Sequence, residues 1–272
     1  MKRILLLFSI FTCCISSYGQ LTAPFTETFS SSGLPTGWAN NSVDPWKFSG
    51  NMGYDAGTVG DHTGSPGSHF AWIDGSSTAN ASAPLTTDSI DLTAVTNPEL
   101  NFWLSSYSLN TTAGYNTFSV DFYDGSTWHN DGYTQQGHTG TAWKYVVVNL
   151  TTYTITGKCL VRFDVDMTTS TTAYFNDIAI DDVTVGNQPT CPKPSNLVSS
   201  NITSSSVTLS WLTGGSANAQ IEYGAPGFTL GAGTQTVATT STNFVLGSLS
   251  PATSYDIYVR DSCSATDTSL WE

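Results

Sequence analysis

The sequence predicts an all-β protein built from two β-sandwich domains, and three observations lead to this class. Residues 20–272 contain no apolar pattern with the period and length of a helix. Short runs of alternating apolar and polar residues recur instead, as in Thr117–Tyr123, Lys144–Leu150 and Lys158–Val165. A segment rich in Gly, Asn and Pro at residues 186–194 separates about 165 residues from about 80, and both lengths suit one domain.

The first 19 residues have the features of a secretory signal peptide. Two basic residues precede the apolar run Ile4–Phe11, and small residues at positions 17 and 19 fit cleavage before Gln20. A lipoprotein signal at Cys13 is the alternative, but the residues before Cys13 match that motif poorly. No other run approaches the roughly 20 apolar residues of a membrane-spanning helix. We therefore expect a protein that is secreted or held at the cell surface.

The charge balance restricts the partners. Without the leader, six basic and 21 acidic residues remain, which gives a net charge of −15 at pH 7. Nucleic acid is excluded as a partner, because phosphate contacts need a cluster of Lys and Arg that six scattered residues do not form. Divalent cations fit this charge better, although solubility alone explains most of the acidic residues.

Three cysteines remain after cleavage of the leader. Cys159 has the same parity as Val161, Phe163 and Val165, so we expect it on the core face of a strand as a small apolar residue. Export permits a disulfide, and the two other cysteines form the predicted pair, Cys191–Cys263.

Residues 174–185 combine a strand pattern with several carboxylates. The apolar residues switch from even to odd positions at Asp181 and Asp182, which indicates either a bulge at this pair or a strand buried on both faces. A buried carboxylate is costly unless it is paired or coordinates a cation. Because the chain has few cationic side chains, the stretch predicts a sandwich that is braced by a metal ion.

The first half resembles the MAM family of extracellular jelly-roll sandwiches. The order and spacing of the matching motifs extend over residues 25–185. The opening segments Phe25–Phe29 and Leu34–Trp38 also resemble the cleaved-adhesin-type jelly-roll repeats of bacterial surface proteases. The disulfide cysteines of animal MAM domains are missing here. The motifs that carry the MAM resemblance are Asp61–Gly64, His69–Asp74, Ala83–Leu85, Leu100–Trp103, Trp143, Val161–Phe163 and Asp177–Val183.

The MAM resemblance implies a structural cation. Members of the family often hold Ca²⁺ or Na⁺ where the first and last strands meet, and hard oxygen ligands suit both ions. The corresponding candidates are Glu27 in the opening strand, Asp61 in the turn before His62, and Asp181 or Asp182 in the closing strand. In the alternative interpretation, these acids cap turns and accept hydrogen bonds from backbone amides.

The second half resembles a fibronectin type III domain of secreted bacterial multidomain proteins. Pro194–Leu197 matches the first strand, Trp211 is the core tryptophan of the second strand, and Ile221–Gly224 fits the third. Tyr255, after Leu249–Ser254, lies where the tyrosine corner of this fold is found.

These boundaries divide the chain into four segments. We expect a signal peptide at 1–19, a MAM-like jelly-roll domain at 24–186, a linker at 187–193 and a type III domain at 194–272. Because the chain stops where the last type III strand should begin, we expect a type III domain without that strand and a longer surface protein.

The sequence carries no recognisable catalytic motif. The patterns G-x-S-x-G and H-E-x-x-H are absent, and His62 and His69 lack a suitably spaced third zinc ligand. We therefore expect a non-catalytic adhesion or binding module for extracellular protein or glycan. Two alternatives remain, namely a carbohydrate- or substrate-binding accessory region of a secreted hydrolase and a pure spacer. Aromatic side chains that would face a ligand in the accessory region are Tyr54, Tyr115, Trp128 and Tyr133.

Overall fold

The computed structural model describes residues 20–40, 43–52, 59–62, 69–76, 82–108, 115–139, 143–167, 176–216, 218–239 and 243–272. The predicted signal peptide and Tyr54 lie outside these ranges. The chain divides into two compact units, residues 1–187 and 188–272. Strands make up the regular structure of both, so the predicted all-β class is confirmed. No helix in the described ranges has the length and apolar character that crossing a membrane requires.

The first unit contains two antiparallel sheets and one short parallel pair. The parallel pair consists of β1 (Leu21–Thr22) and β7 (Ile90–Asp91). The five-stranded sheet consists of β3 (Ala39–Asn40), β6 (Leu85–Thr86), β9 (Thr117–Tyr123), β10 (Trp128–Gln136) and β12 (Leu160–Asp166), in the order β10-β9-β12-β6-β3. The six-stranded sheet consists of β2 (Phe25–Glu27), β4 (Lys47–Ser49), β5 (Phe70–Ile73), β8 (Pro98–Ser108), β11 (Lys144–Asn149) and β13 (Asn176–Asn187).

The core of the first unit lies between these two sheets. Strand side chains alternate between faces, so every second residue of β8, β9 and β12 points inward. The ring of Phe102 from one sheet lies 5.3 Å from that of Phe163 and 5.8 Å from that of Phe118 in the other sheet. Cys159 is fully buried in this core as a free thiol, which agrees with its parity in the sequence.

Strand β13 organises the six-stranded sheet. One edge of β13 pairs with β8, and the other edge pairs with β5 at Ile178–Ile180 and with β2 at Val183–Val185. The register with β8 shifts between Asp181 and Thr184, so the bulge, one of the two alternatives for the parity switch, is present at the aspartate pair. The other alternative also holds before the bulge, because residues 176–181 are buried on both faces of the strand. The bulge therefore lies where β5 ends and β2 begins along the same edge.

The outer faces of the two sheets differ. Over the six-stranded sheet, Met52 and Val59 pack with Phe70, Trp72 and Ala179 into a second, smaller apolar cluster. The outward side chains of β9, β10 and β12 in the five-stranded sheet are mostly polar, and many of them are partly or fully exposed. One outer face is therefore covered by the chain, while the other faces solvent.

The second unit is a smaller sandwich of two three-stranded sheets. The first sheet has the order β14 (Ser195–Ser200), β15 (Val207–Leu212), β18 (Asn243–Leu246), and the second has the order β17 (Thr234–Thr239), β16 (Asn218–Gly224), β19 (Asp256–Asp261). Trp211 is buried between the sheets, as its type III resemblance implies. The hydroxyl oxygen of Tyr255 accepts a hydrogen bond from the Ser250 amide at 3.0 Å, which is the contact of a tyrosine corner.

The end of the second unit contains the disulfide. Cys191 and Cys263 are bonded, with their Cα atoms 5.7 Å apart, so the predicted bridge is confirmed. After the bridge the chain returns along β19, where the backbones of Val259 and Glu272 exchange hydrogen bonds of 3.1 and 2.8 Å.

Candidate functional site

The bulge in β13 gives two adjacent aspartates different environments. Asp182 adopts a left-handed backbone conformation with φ of 48°. The side chain of Asp181 is buried, and its Oδ1 accepts a hydrogen bond from the Asp182 amide at 2.8 Å. Its Oδ2 accepts a second bond from the amide of His62 at 3.1 Å. The Asp181 carboxylate therefore joins the closing strand to the loop at residues 59–62.

His62 lies over the same bulge. Its Nδ1 is 2.7 Å from Oδ2 of Asp182, and its ring stacks on Trp103 with 3.8 Å between centroids. Trp143 contacts the ring of His62 edge-on and donates its indole N–H to the Gly60 carbonyl at 2.9 Å. The loop is thus held by hydrogen bonds between His62 and both aspartates of β13, by the bond from Trp143 to Gly60, and by the stacking of His62 on Trp103 of β8.

Negative charge accumulates at this point. Burial, together with the charges of Asp182 and Asp61, raises the pKa of Asp181 to about 7, although two amide hydrogen bonds act to lower it. An ionised Asp181 is therefore costly in the absence of a neighbouring positive charge.

The structure shows where each of the four predicted metal ligands lies. Asp61, Asp181 and Asp182 lie in one electrostatic cluster. Glu27 is in β2, opposite Val183, and its Oε1 accepts a hydrogen bond from the amide of Phe29 at 2.7 Å. Among the described residues, no three or more His, Cys, Asp or Glu side chains are arranged to hold a metal ion. The oxygen donors suit a hard cation, and the calcium site stays a prediction.

A second candidate site lies on the outer face of the five-stranded sheet. The side chains of Asp121 and Tyr123 on β9 and of Arg162 on β12 point outward, because their strand neighbours point into the core. Trp128 on β10 is the register partner of Tyr123 and lies on the same face. The guanidinium of Arg162 lies 4.4 Å from the centroid of the Trp128 ring, and the Tyr123 ring lies 5.5 Å from that ring. We call Asp121, Tyr123, Trp128 and Arg162 the Trp128 platform.

Asp121 fixes the orientation of Arg162. Nε and Nη2 of Arg162 both donate to Oδ2 of Asp121, at 2.8 and 2.6 Å, while Oδ1 of Asp121 accepts the Asp131 amide at 2.9 Å. Only 6% of the Asp121 side chain is exposed, against 30% of the Arg162 side chain. The ion pair is therefore anchored below the surface and presents the outer part of the guanidinium to solvent.

The predicted ligand-facing aromatics occupy different places. Trp128 is part of the platform and is partly exposed. Tyr133 packs its ring edge-on against Phe102 of the core, 6.1 Å away. Tyr115 stacks on the ring of His138 at 6.3 Å. The sequence analysis did not identify Tyr123, Arg162 or Asp121 as site residues. These residues alternate along their strands with buried residues such as Phe122, and this alternation alone indicates that they point outward.

Comparisons with known proteins agree with this architecture. The family model "MAM domain, meprin/A5/mu" matches residues 28–192, and the fibronectin type III model matches residues 192–270. No curated protein sequence matches the chain.

Similar solved structures include the following three modules. The K1 cleaved adhesin domain of Lys-gingipain from Porphyromonas gingivalis W83 is 16% identical, covers 60% of this chain and 98% of its own, and has a TM-score of 0.41. An FN3 domain of human collagen XX is 24% identical over 31% of this chain and 91% of its own, with a TM-score of 0.26. TmCBM61, solved with β-1,4-galactotriose, is 12% identical over 59% of this chain and 94% of its own, with a TM-score of 0.38. The family model that covers most of the first unit is decisive: the chain belongs to the MAM domain family and carries a fibronectin type III domain after its MAM domain.

Proposed function

We propose that this chain is a secreted, non-catalytic binding module that recognises extracellular protein or glycan. The MAM domain is the recognition element, and the type III domain is the spacer. MAM and type III domains are binding and structural modules, and this family membership supports a role outside the cell.

One observation carries the proposal, namely the open outer face of the five-stranded sheet. The outer face of the six-stranded sheet is covered by the apolar cluster around Phe70 and Trp72. On the five-stranded sheet, Thr134 and Gln136 are exposed and Ser119 is partly exposed. A broad sheet face with exposed polar residues, whose described aromatic and charged side chains are held by hydrogen bonds and ring contacts, is suited to contact a partner.

We also propose that Ca²⁺, or Na⁺ as the alternative, braces the bulge in β13. The support is the cluster of Asp61, Asp181 and Asp182, in which burial and like charges raise the pKa of Asp181. A bound cation would relieve this repulsion, and the ion would have a structural role apart from the open sheet face.

The binding function is tested with residues 20–272 and two matched variants. Thr134→Arg places a bulky cation on the open face, and Val147→Arg makes the same change at an exposed position of the other sheet. We expect the parent chain and Val147→Arg to be retained on immobilised extracellular matrix or cell-surface material, and Thr134→Arg to lose retention at least tenfold.

Two results would contradict the proposal. One is equal retention of both arginine variants, which would show that the open face is not the binding surface. The other is turnover of protein, ester or glycoside substrates that a single His or Asp substitution abolishes, because this would make the chain an enzyme.

A further inference from the structure

We infer that the open face binds a neutral glycan, with the Trp128 platform as its principal subsite. This inference rests on the proposed function and specifies its ligand class. It is argued from the orientation of Arg162, the partly exposed aromatic rings and the mixture of polar groups on the same face.

The donor groups of the platform are preorganised. Arg162 uses Nε and Nη2 on Asp121, and Nη2 also lies 3.4 Å from Oδ1 of Asn130. Among the described residues, no acceptor meets Nη1, so its two N–H groups remain for a ligand. Because the ion pair and the Trp128 ring already fix the guanidinium, little side-chain entropy is lost when a ligand binds.

The aromatic groups supply apolar surface beside these donors. Trp128 and Tyr123 are both partly exposed, and their rings are tilted by 45° to each other. A pyranose ring has C–H faces that pack on aromatic surface and a rim of hydroxyl groups. The platform therefore offers apolar contact and hydrogen-bond donors within the reach of one sugar unit.

Acceptors continue along the face in line with the platform. Asp164 follows Arg162 by two positions on β12 and is paired with Ser119 on β9, which is in turn paired with Thr134 on β10. The carboxylate of Asp164 already accepts bonds from Ser82 Oγ and the Ala83 amide, at 2.7 and 2.8 Å, which orients it. Because a sugar hydroxyl both donates and accepts, a row of alternating donors and acceptors fits a glycan chain.

Charge and apolarity argue against other ligand classes. The mature chain has a net charge of −15, which disfavours polyanions such as nucleic acid and sulfated or uronate-rich glycans. A folded protein partner needs a cluster of anchors at the centre of its interface. The open face offers only the partly exposed Trp128, Tyr123 and Arg162 for this, and none of the exposed large aliphatic side chains described in the first domain lies on β9, β10 or β12. In the first domain these are Leu34, Val43 and Val147. A neutral, hydroxyl-rich polymer remains as the class that fits.

The test is affinity electrophoresis of residues 20–272 in gels that contain one polysaccharide each. The neutral probes are β-1,4-galactan, mixed-linkage β-glucan, xyloglucan and α-mannan, and polygalacturonate is the anionic probe. Trp128→Ala and Tyr123→Ala remove the platform rings, and Thr134→Arg blocks the face without removing a buried group. Tyr145→Ala is the matched control, because it removes a partly exposed aromatic ring from the other sheet.

We expect at least one neutral polysaccharide to retard the parent chain and Tyr145→Ala. Its affinity for Trp128→Ala, Tyr123→Ala and Thr134→Arg should fall at least tenfold, while Thr134→Arg keeps the melting temperature of the parent chain and Tyr145→Ala stays folded at the temperature of the assay. Retardation by polygalacturonate alone would overturn the assignment to neutral glycans. Retardation by a neutral glycan that is unchanged in Trp128→Ala, Tyr123→Ala and Thr134→Arg would overturn the subsite.

The remaining outcomes separate this inference from the proposed function. If no polysaccharide retards the chain but matrix protein retains it in a manner that depends on Thr134, the glycan inference fails and the proposed function stands. If neither glycan nor protein binds, both fail, and the chain is a spacer.

Discussion

Reduction of the Cys191–Cys263 bridge should destabilise the type III domain selectively. The bridge closes a loop with a sequence separation of 72, for which the chain-entropy model gives about 4 kcal/mol at 25 °C. For a domain of 60–100 residues, each kcal/mol shifts the melting temperature by roughly 4–8 °C, so the expected loss is roughly 15–30 °C. Both cysteines lie in the second unit, so the MAM domain should not respond.

Scanning calorimetry of residues 20–272, with and without a phosphine reductant, measures this effect. Two transitions are expected, and only one should move. The double variant Cys191→Ser/Cys263→Ser is the control, because the reductant should change neither of its transitions. A shift equivalent to less than about 1 kcal/mol after complete reduction, shown by thiol counting, would refute the loop-closure reasoning. Equal shifts of both transitions would refute the assignment of the bridge to one domain.

Three further predictions concern the MAM domain. The hydrogen bond from His129 and the amides of the following turn hold the pKa of Asp124 well below its usual range. Ionised Asp124 therefore stabilises the fold above about pH 4. The difference in free energy of unfolding between the parent chain and Asp124→Asn should be constant above that pH and should become smaller in acid. A difference that does not depend on pH would contradict this. Burial raises the pKa of Cys159 to about 11, so a thiol reagent should label the native chain at pH 8 far more slowly than the urea-unfolded chain, and equal rates would show an accessible thiol. Excess chelator should lower the melting temperature of the MAM domain, because an ion at 100 times its Kd adds about 3 kcal/mol to the free energy of unfolding. Asp181→Asn should abolish this response. If chelator leaves the melting temperature of the parent chain unchanged, the calcium proposal is wrong.

The sequence was sufficient where the structural signal is local. Alternating apolar residues at positions 118, 120 and 122 identified β9 and its buried face, and the same parity argument placed Cys159 in the core. The parity switch at Asp181 and Asp182 left a bulge or a strand buried on both faces as alternatives, and the bulge was among them because an extra residue in one strand reverses the order of inward and outward positions.

The sequence was insufficient where function depends on contacts between distant residues. Arg162 and Asp121 are 41 positions apart, and His62 meets Asp182 across 120 positions. Parity shows that Arg162 points outward, but the identity of its neighbours follows from the strand order β10-β9-β12, which no local pattern contains. The stacking of His62 on Trp103 likewise depends on how the loop at residues 59–62 returns over β8.

The pairing of β2 with β13 determines how the MAM domain is attached to the rest of the chain. Phe25 and Val185 are register partners in adjacent antiparallel strands, so the segments that open and close the six-stranded sheet along the sequence lie about 5 Å apart. A domain whose opening and closing strands are adjacent can be inserted into a loop of another protein with little disturbance of the host fold. For the same reason it tolerates circular permutation. Residues 21–22 pair with β7 and therefore belong to the same unit, so the open sheet face can be transplanted together with β1, β2 and β13 as one unit.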